Sequence, residues 1–423
     1  MINKPKGTKD IFGNEKILKN YIEEVVGFVA NNYQYKFIDT PIFERKEVFL
    51  RSIGETSDIV SKEMFEFKDK GNRDMVLRPE ATASVVRAIV ENKLYTDDKP
   101  NKFVTIGPMF RYENPQKGRY RQFTQASFEN IENKSPYIDV ETISTACSIL
   151  KSLNINAKLH INSLGDKKTR EDYSVALKDY FSNHKDKLSE ISLERLEKNP
   201  LRILDDKEEA KKDFVKNSPK ISKYYSQESK EYFETIQRLL KLLSIDYVID
   251  NNLVRGLDYY TDTIFEFIAS SPQIGSQSTV LAGGRYDNMI KNFGGPDKSS
   301  IGFALGIERV QMLMEQEFDF SKLIKTPDVY IGLLSEETKD VVMALSEMLR
   351  KAGISTIYKL KSKKIQKIFK DFDNSCSKIL LLVGPKEIEK GTVIMKFNND
   401  QQEVKFDNII SEVERILNSY EKN

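Results

Sequence analysis

Residues 102–131 constrain the fold more than any other stretch. Lys102 to Tyr112 and Arg121 to Ile131 read as two strands, the second returning along the first. Between them lies ENPQKGRY, a basic, turn-rich hairpin loop with Pro115 and Gly118. Arg111 ends the first strand, and Glu113 stands two residues on, so their side chains share one face of an extended chain. Phe123 lies on the return strand. Arginine, glutamate and an aromatic ring on one sheet face could bind ATP. The guanidinium fork meets a phosphate, the carboxylate accepts from an amino group, and the ring stacks on a base. A surface strand with paired opposite charges fits the same residues.

The rest of the chain surrounds this hairpin with two kinds of pattern. Residues 15–30 carry apolar side chains at helical spacing, from Ile17 to Val29. Phe37 to Phe43 reads as a strand broken by Pro41, which suits an edge or an interface. Met75 to Leu77 leads through a turn into a helix from about Glu80. Residues 166–244 are dense in Lys, Glu and Asp and read as a charged, mostly helical insertion. The strand pattern returns in YVIDNNLVRGLDYYTDTIFEF, STVLAGGRYDNMI and SSIGFALGIERV, the last ending at Gly306 and continuing as a helix. After a boundary near residues 318–330, strands alternate with helices, which implies a small α/β domain with a partly parallel sheet. The expected division is a catalytic-type α+β domain over 1–322, containing the insertion, and a second domain over 326–423.

Composition excludes several classes. The chain has 423 residues, Lys+Arg 66 against Asp+Glu 64, and a formal net charge of +2. A nucleic-acid surface must therefore come from local clustering. The two cysteines, Cys147 and Cys376, stand in no metal-ligand spacing, so a reducing compartment and no protein metal site are expected. No run of about 18 apolar residues occurs, and the first residues lack a signal-peptide core, so the expectation is a cytoplasmic protein without a membrane span. There is neither a P-loop nor a G-x-G-x-x-G after a strand. Only His160 and His184 could serve as a histidine base.

Two further pieces bear on anion and ammonium binding. GIERV puts Arg309 at the start of a helix. A cation there works against the helix dipole unless an anion sits beside it, held by the arginine and the helix amides together; an ordinary surface arginine is the alternative. LRPE puts Glu80 at a helix head, where it caps the helix or holds a ligand ammonium.

Together these pieces resemble the class II aminoacyl-tRNA synthetases, and within them the histidyl-tRNA synthetases. KFIDTPIFE is similar to the first class motif, with Pro41 at a dimer interface. Residues 106–131 are similar to the second, and GFALGIERV, ending in Arg309, to the third. LVRGLDYYT and AGGRYDNMI resemble the two histidine-specific motifs, and NPLRILDDK a further family segment. The resemblance spans nearly all the chain, including a C-terminal domain like the family's anticodon-binding domain.

The resemblance implies a histidine–tRNA ligase that converts histidine and ATP to histidyl-adenylate and pyrophosphate, then transfers histidine to tRNA(His). It implies Mg²⁺ with the nucleotide and a homodimer. Arg111, Arg255 and Arg309 would be catalytic. Arg111, Glu113, Arg119, Phe123 and Arg309 would bind ATP. Glu80, Thr82 and Gln125 would surround the substrate ammonium, with Arg111 and Arg255 on the reacting side. Glu129 and Tyr260 would hold the two imidazole nitrogens, with Tyr259 lining the pocket. Gln116 and Arg121 in the loop, and Lys363, Lys364 and Lys367 in the C-terminal domain, would be tRNA contacts. Ala81, Ser127 and Asn114 depart from the family's usual glycine, glycine and arginine. An inactive, synthetase-like, histidine-binding regulatory subunit of ATP phosphoribosyltransferase is the alternative. Such proteins typically lose phosphate-binding arginines and the C-terminal domain, and this chain has both.

Overall fold

The computed structural model describes residues 2–53, 59–95, 101–206, 208–254, 259–270, 279–315, 318–361, 363–398 and 400–420. It divides into two compact units, Met1–Phe320 and Ser321–Asn423. In chain order the first unit begins with α1 (Gly13–Asn32), β1 (Lys36–Phe37), β2 (Phe43–Arg45), α2 (Lys46–Ile53), β3 (Phe65–Lys68), β4 (Asp74–Leu77) and α3 (Thr82–Glu91). The hairpin β5 (Lys102–Phe110) and β6 (Gln122–Glu132) follows, then α4 (Pro136–Ser152) and β7 (Ala157–Ser163). Next come α5 (Lys167–Ser182), α6 (Glu190–Lys198), α7 (Leu201–Asp205), α8 (Asp213–Lys216) and α9 (Gln227–Leu242). The unit closes with β8 (Tyr247–Ile249), β9 (Thr261–Ala269), β10 (Thr279–Arg285), α10 (Met289–Asn292), β11 (Ser299–Gly306) and α11 (Ile307–Met314).

Eight strands form one sheet in the order β1-β5-β6-β11-β10-β9-β7-β8. All neighbours are antiparallel except the outermost pairs, β1 with β5 and β7 with β8. The 102–131 hairpin is therefore β5 and β6, with Gly107 opposite Gln125 and Phe103 opposite Glu129. The strand expected over Phe37 to Phe43 divides: β1 joins the large sheet, while β2 pairs with β4 in a separate three-stranded sheet. Pro41 lies between the two pieces, and its missing N–H cannot serve a continuous ladder.

Local signals start the helices. Ser135 accepts from the Tyr137 amide ahead of α4, whose first residue is Pro136. Asp166 and Ser226 cap α5 and α9 in the same way. The stretch expected as a charged insertion also divides. α5 to α8 enclose a second, smaller core, including Tyr173, Leu177, Phe181, Leu196 and Ile203, which also takes in Tyr260 and Ile264 around the start of β9. α9 instead sends Phe233, Ile236, Leu239 and Leu240 into the main core, beside α4 and the sheet. Its charged residues cover only the outer face of an amphipathic helix.

A polar knot is buried in that main layer. Arg285 at the end of β10 is 1% exposed and Asp139 of α4 is wholly buried. Arg285 Nε donates to Asp139 Oδ1 at 3.0 Å. Asp139 Oδ2 accepts from Thr263 at 2.5 Å and from Tyr232 at 3.1 Å. The Arg285 charge is stabilised against its burial by Asp139 and Asp287.

The second unit contains β12 (Val329–Leu333), α12 (Lys339–Lys351), β13 (Thr356–Tyr358), α13 (Ile365–Ser375), β14 (Ile379–Val383), α14 (Pro385–Lys390), β15 (Thr392–Phe397), β16 (Asp400–Lys405) and α15 (Ile409–Tyr420). Its sheet order is β13-β12-β14-β15-β16, parallel in the first three strands and antiparallel in the last two. The α+β architecture with an antiparallel sheet, and the α/β second unit, are as expected.

Removing one partner of a buried ion pair leaves an uncompensated charge. Asp139→Ala should lower stability by roughly 3–5 kcal/mol, and Tyr232→Phe by only about 1 kcal/mol. Urea unfolding measures both; equal small losses would mean that Arg285 finds water or another partner.

Candidate active site

The site is built where β5, β6, β11 and β10 lie side by side. Its first end is a buried carboxylate pocket. Glu129 of β6 is 1% exposed and lies opposite Gly302 of β11. A Cβ at Gly302 would stand 2.1 Å from Glu129 Oε2, so only glycine leaves the carboxylate room. Thr82 donates its hydroxyl to Glu129 Oε1 at 2.7 Å, and Tyr286 donates to Oε2. Burial pushes the Glu129 carboxyl up to about 8, with its hydroxyl partners opposing and the nearby Glu80 adding to the rise.

Glu80 sits at the head of α3 and accepts from the amides of Thr82 at 2.8 Å and Ala83 at 2.9 Å. Burial raises its carboxyl too, against those amides and the more distant Arg111. Two buried carboxylates that resist ionisation form a region suited to a cationic, N–H-donating ligand. Ala81 has an ordinary helical backbone (φ −96°), so nothing there requires glycine. The Ser127 hydroxyl is buried without a hydrogen-bond partner.

Aromatic rings close this pocket. Tyr259 and Tyr260 pack at 4.6 Å between centroids, and Tyr259 meets Tyr286 edge-on at 5.6 Å. The tyrosine bonded to Glu129 is thus Tyr286; the resemblance implies a different part for Tyr260, on the other side of a bound imidazole. Tyr286 lies within the AGGRYDNMI motif but was not singled out there. Its role depends on a contact between β6 and the end of β10 that no local pattern reveals.

The second end is an arginine-rich cavity of about 320 Å³, lined by Arg111, Glu113, Arg119, Phe123, Gln125 and Arg309 among others. Arg111 Nε donates to the Pro79 carbonyl at 2.9 Å, and its guanidinium lies 5.3 Å from the Phe123 ring centre. Glu113 is 2.8 Å from Arg119 and 4.0 Å from Arg111. Arg309, in the first turn of α11, donates to the Thr279 carbonyl at 2.7 Å. Burial and the neighbouring Arg119 and Arg111 depress its basicity. Clustered cations of this kind favour a polyanion. Glu308 anchors α11 to β6 by accepting the Thr124 amide at 2.8 and 3.0 Å. Glu266, which accepts from Thr279 Oγ1 at 2.9 Å, lines the cavity and was not foreseen. The Gln125 side-chain oxygen is buried without a hydrogen-bond partner.

Not every expected residue is seen at the site. Arg255 lies outside the described residues. Gln116 is exposed on the loop. Arg121, expected as an RNA contact, has its guanidinium 3.8 Å above the Tyr112 ring and donates Nε to the Glu113 carbonyl at 3.3 Å. Lys364 and Lys367 are exposed, but Lys363 is held by Asp371 at 2.5 Å, and Lys359 by the same carboxylate at 2.7 Å. The pair of lysines holds the Asp371 carboxyl at about 2. The basic run therefore presents fewer open cations than its sequence implies, because Asp371 returns to it from the next turn of α13. Among the described residues no cluster of three or more His, Cys, Asp or Glu side chains could hold a metal ion.

Comparison with known proteins places this geometry in context. Residues 16–310 match the histidyl-tRNA synthetase family, and residues 328–416 match the anticodon-binding domain family. Histidine–tRNA ligases of Streptococcus pneumoniae and Streptococcus mutans are each 44% identical over 406 residues, covering 95% of this chain and 94% of theirs. The crystal structure of apo Staphylococcus aureus histidyl-tRNA synthetase superposes with a TM-score of 0.82 at 32% identity, covering 98% of this chain and 100% of that one. A Bacillus halodurans protein described as an ATP phosphoribosyltransferase regulatory subunit/histidyl-tRNA synthetase shares the fold, with a TM-score of 0.62 at 21% identity over 88% of this chain and 96% of that one.

The raised Glu129 carboxyl has a signed consequence for stability. The folded protein keeps this proton up to about 8, whereas the unfolded chain releases it near 4.5. Its contribution to stability is therefore full below pH 4.5 and is lost as pH rises through 8. Glu129→Gln should make the decline in unfolding free energy between pH 5 and pH 8 shallower than in the wild type, as read by urea titrations. An unchanged slope would mean that Glu129 is ionised throughout.

Proposed function

The chain belongs to the histidyl-tRNA synthetase family and is an ATP-dependent histidine–tRNA ligase, and we propose that the two ends of its site divide the work between them. The carboxylate end takes histidine and the arginine end takes ATP. The observation that carries this reading is the opposed character of adjoining pockets: the buried, proton-retaining carboxyls of Glu80 and Glu129 on one side, and the guanidinium groups of Arg111, Arg119 and Arg309 on the other.

In this reading Glu129 accepts from one imidazole nitrogen while the Tyr260 hydroxyl donates to the other. Neutral imidazole has one N–H donor and one N acceptor, so the pair matches both edges. Thr82 and Tyr286 orient Glu129 through their hydroxyls. Amino acids that leave such buried groups unpaired are rejected by roughly 10⁴-fold or more. Glu80, Thr82 and Gln125 surround the α-ammonium, and Tyr259 walls the pocket.

ATP lies in the arginine cavity, its base on Phe123 and its amino group toward Glu113, with Arg119 and Arg309 on the outer phosphates. The histidine carboxylate attacks the α-phosphorus, and pyrophosphate leaves. Arg111 and, by its place in the RGLDYY motif, Arg255 stabilise the charge that builds on the phosphate oxygens. No protein nucleophile takes part. The histidyl-adenylate then passes histidine to the 3′ end of tRNA, releasing AMP. Mg²⁺ belongs to this reading as part of the nucleotide substrate, where it neutralises phosphate charge. Glu266, a carboxylate lining the same cavity, fits that chemistry.

The domains in this reading are a catalytic domain over 1–322 and an anticodon-binding domain over 326–423. The latter meets tRNA(His) with Lys364 and Lys367, while Gln116 faces the acceptor end. Exposed Phe37, Ile42 and Phe43 flank Pro41 and support a homodimer through that face. Cys147 and Cys376 are both free thiols, which agrees with a cytoplasmic setting, and no described helix is long and apolar enough to cross a membrane.

ATP–pyrophosphate exchange tests the proposal directly. Exchange should occur with histidine and with none of the other standard amino acids; histidine binding without exchange would favour the regulatory alternative. Glu129→Ala should chiefly raise the KM for histidine. Arg255→Ala should lower kcat by about 10²-fold or more, and an unchanged kcat would remove Arg255 from the mechanism.

A further inference from the structure

We propose that the N-terminal segment 5–15 braces the nucleotide end of the site, with Gly7 and Arg121 as its positioning residues. The inference rests on the reading of the arginine cavity as the ATP site.

The contacts form one continuous path. The Arg121 amide donates to the Gly7 carbonyl at 2.7 Å. Gly7 has a left-handed backbone (φ +83°), and a Cβ there would lie 2.7 Å from Arg121 Cγ and 3.0 Å from Pro115 Cγ. The segment is thus seated against both the loop and the aliphatic stem of Arg121, and glycine is required for that approach. Arg121 closes the loop on itself. Its carbonyl accepts from the Arg111 amide at 3.0 Å, and its Nε donates to the Glu113 carbonyl at 3.3 Å. Its guanidinium rests on Tyr112 at 3.8 Å, and Tyr112 packs edge-on against Phe65 at 5.3 Å. A guanidinium stacked on a ring and bonded to the backbone beneath it serves first to hold its own loop.

The same segment also touches the other wall of the cavity. Gln311, two residues beyond Arg309 on α11, donates to the Glu15 carbonyl at 2.9 Å, and Lys9 pairs with Glu15 at 2.5 Å. One stretch of chain thus contacts the loop that carries Glu113 and Arg119 and the helix that carries Arg309. Because Glu113 is paired with Arg119 at 2.8 Å, displacing its backbone displaces that arginine as well. Arg121 therefore acts on the nucleotide through Glu113 and Arg119.

The test uses the full chain with Gly7→Ala, Arg121→Ala, Arg121→Lys and the double variant Gly7→Ala/Arg121→Ala. Pyrophosphate exchange gives KM for ATP and for histidine, aminoacylation gives KM for tRNA, and thermal melting checks folding. Each single variant should raise the KM for ATP by about tenfold or more, the scale expected of a small misplacement, with the KM for histidine nearly unchanged. Arg121→Lys should fail to rescue, since charge alone cannot stack and bridge. The double variant should be no worse than the worse single, because both break one path. If Arg121→Lys restores wild-type behaviour, or Arg121→Ala raises only the KM for tRNA, Arg121 is an RNA contact and the brace is wrong. If Gly7→Ala does not fold, Arg121→Lys decides alone. A wild-type chain without histidine-dependent exchange would instead overturn the reading of the site itself.

Discussion

The buried Arg285–Asp139 pair ties the site-bearing sheet to the helical layer behind it. Arg285 is the last residue of β10, and Asp139 lies in the first turn of α4. Their charges cannot be separated without leaving one unpaired in a low-dielectric core, so the end of β10 is fixed relative to α4. Tyr286 follows immediately, and its amide donates to the Ser300 carbonyl at 2.8 Å. Its hydroxyl is thereby delivered to Glu129 on the far side of β11. A polar knot thus sets the orientation of Glu129, the carboxylate that the proposed function assigns to the imidazole.

The second constraint is electrostatic. Burial raises the carboxyls of both Glu80 and Glu129, with Glu80 adding to the rise at Glu129, and burial together with the neighbouring Arg119 and Arg111 depresses the basicity of Arg309. Each end therefore disfavours its own charged form until a ligand of opposite character enters it. In the proposed function, histidine's ammonium and imidazole answer one end, and the phosphates of ATP answer the other. The reacting carboxylate and α-phosphorus would meet at Arg111, which lies beside Pro79 and Phe123 between the two ends.

Much of this was legible in sequence. The hairpin limits follow from alternation around a Pro- and Gly-bearing loop, and β5 and β6 begin and end within two residues of that expectation. The arginine cavity gathers Arg111, Glu113, Arg119, Phe123 and Arg309, all of which had been singled out by residue type and motif. What was hidden depends on distant partners. α9 looked like part of a charged insertion because its polar face dominates its composition, yet its apolar stripe joins the main core. Arg121 and Lys363 looked like open cations because the sequence does not show Tyr112 or Asp371 folding onto them.

The sequence by itself determined the element types, the two-unit plan and the chemical repertoire of the site. Side-chain period, turn residues and motif spacing are local properties, and each is written within a few residues. The tertiary structure alone decided which tyrosine bonds Glu129, why residue 302 must be glycine, and which arginine holds the loop in place of an open surface. Those outcomes depend on register across β6, β11 and β10 and on the return of residues 5–15 to the hairpin. Partners brought together over a hundred residues or more leave no periodic trace in the chain.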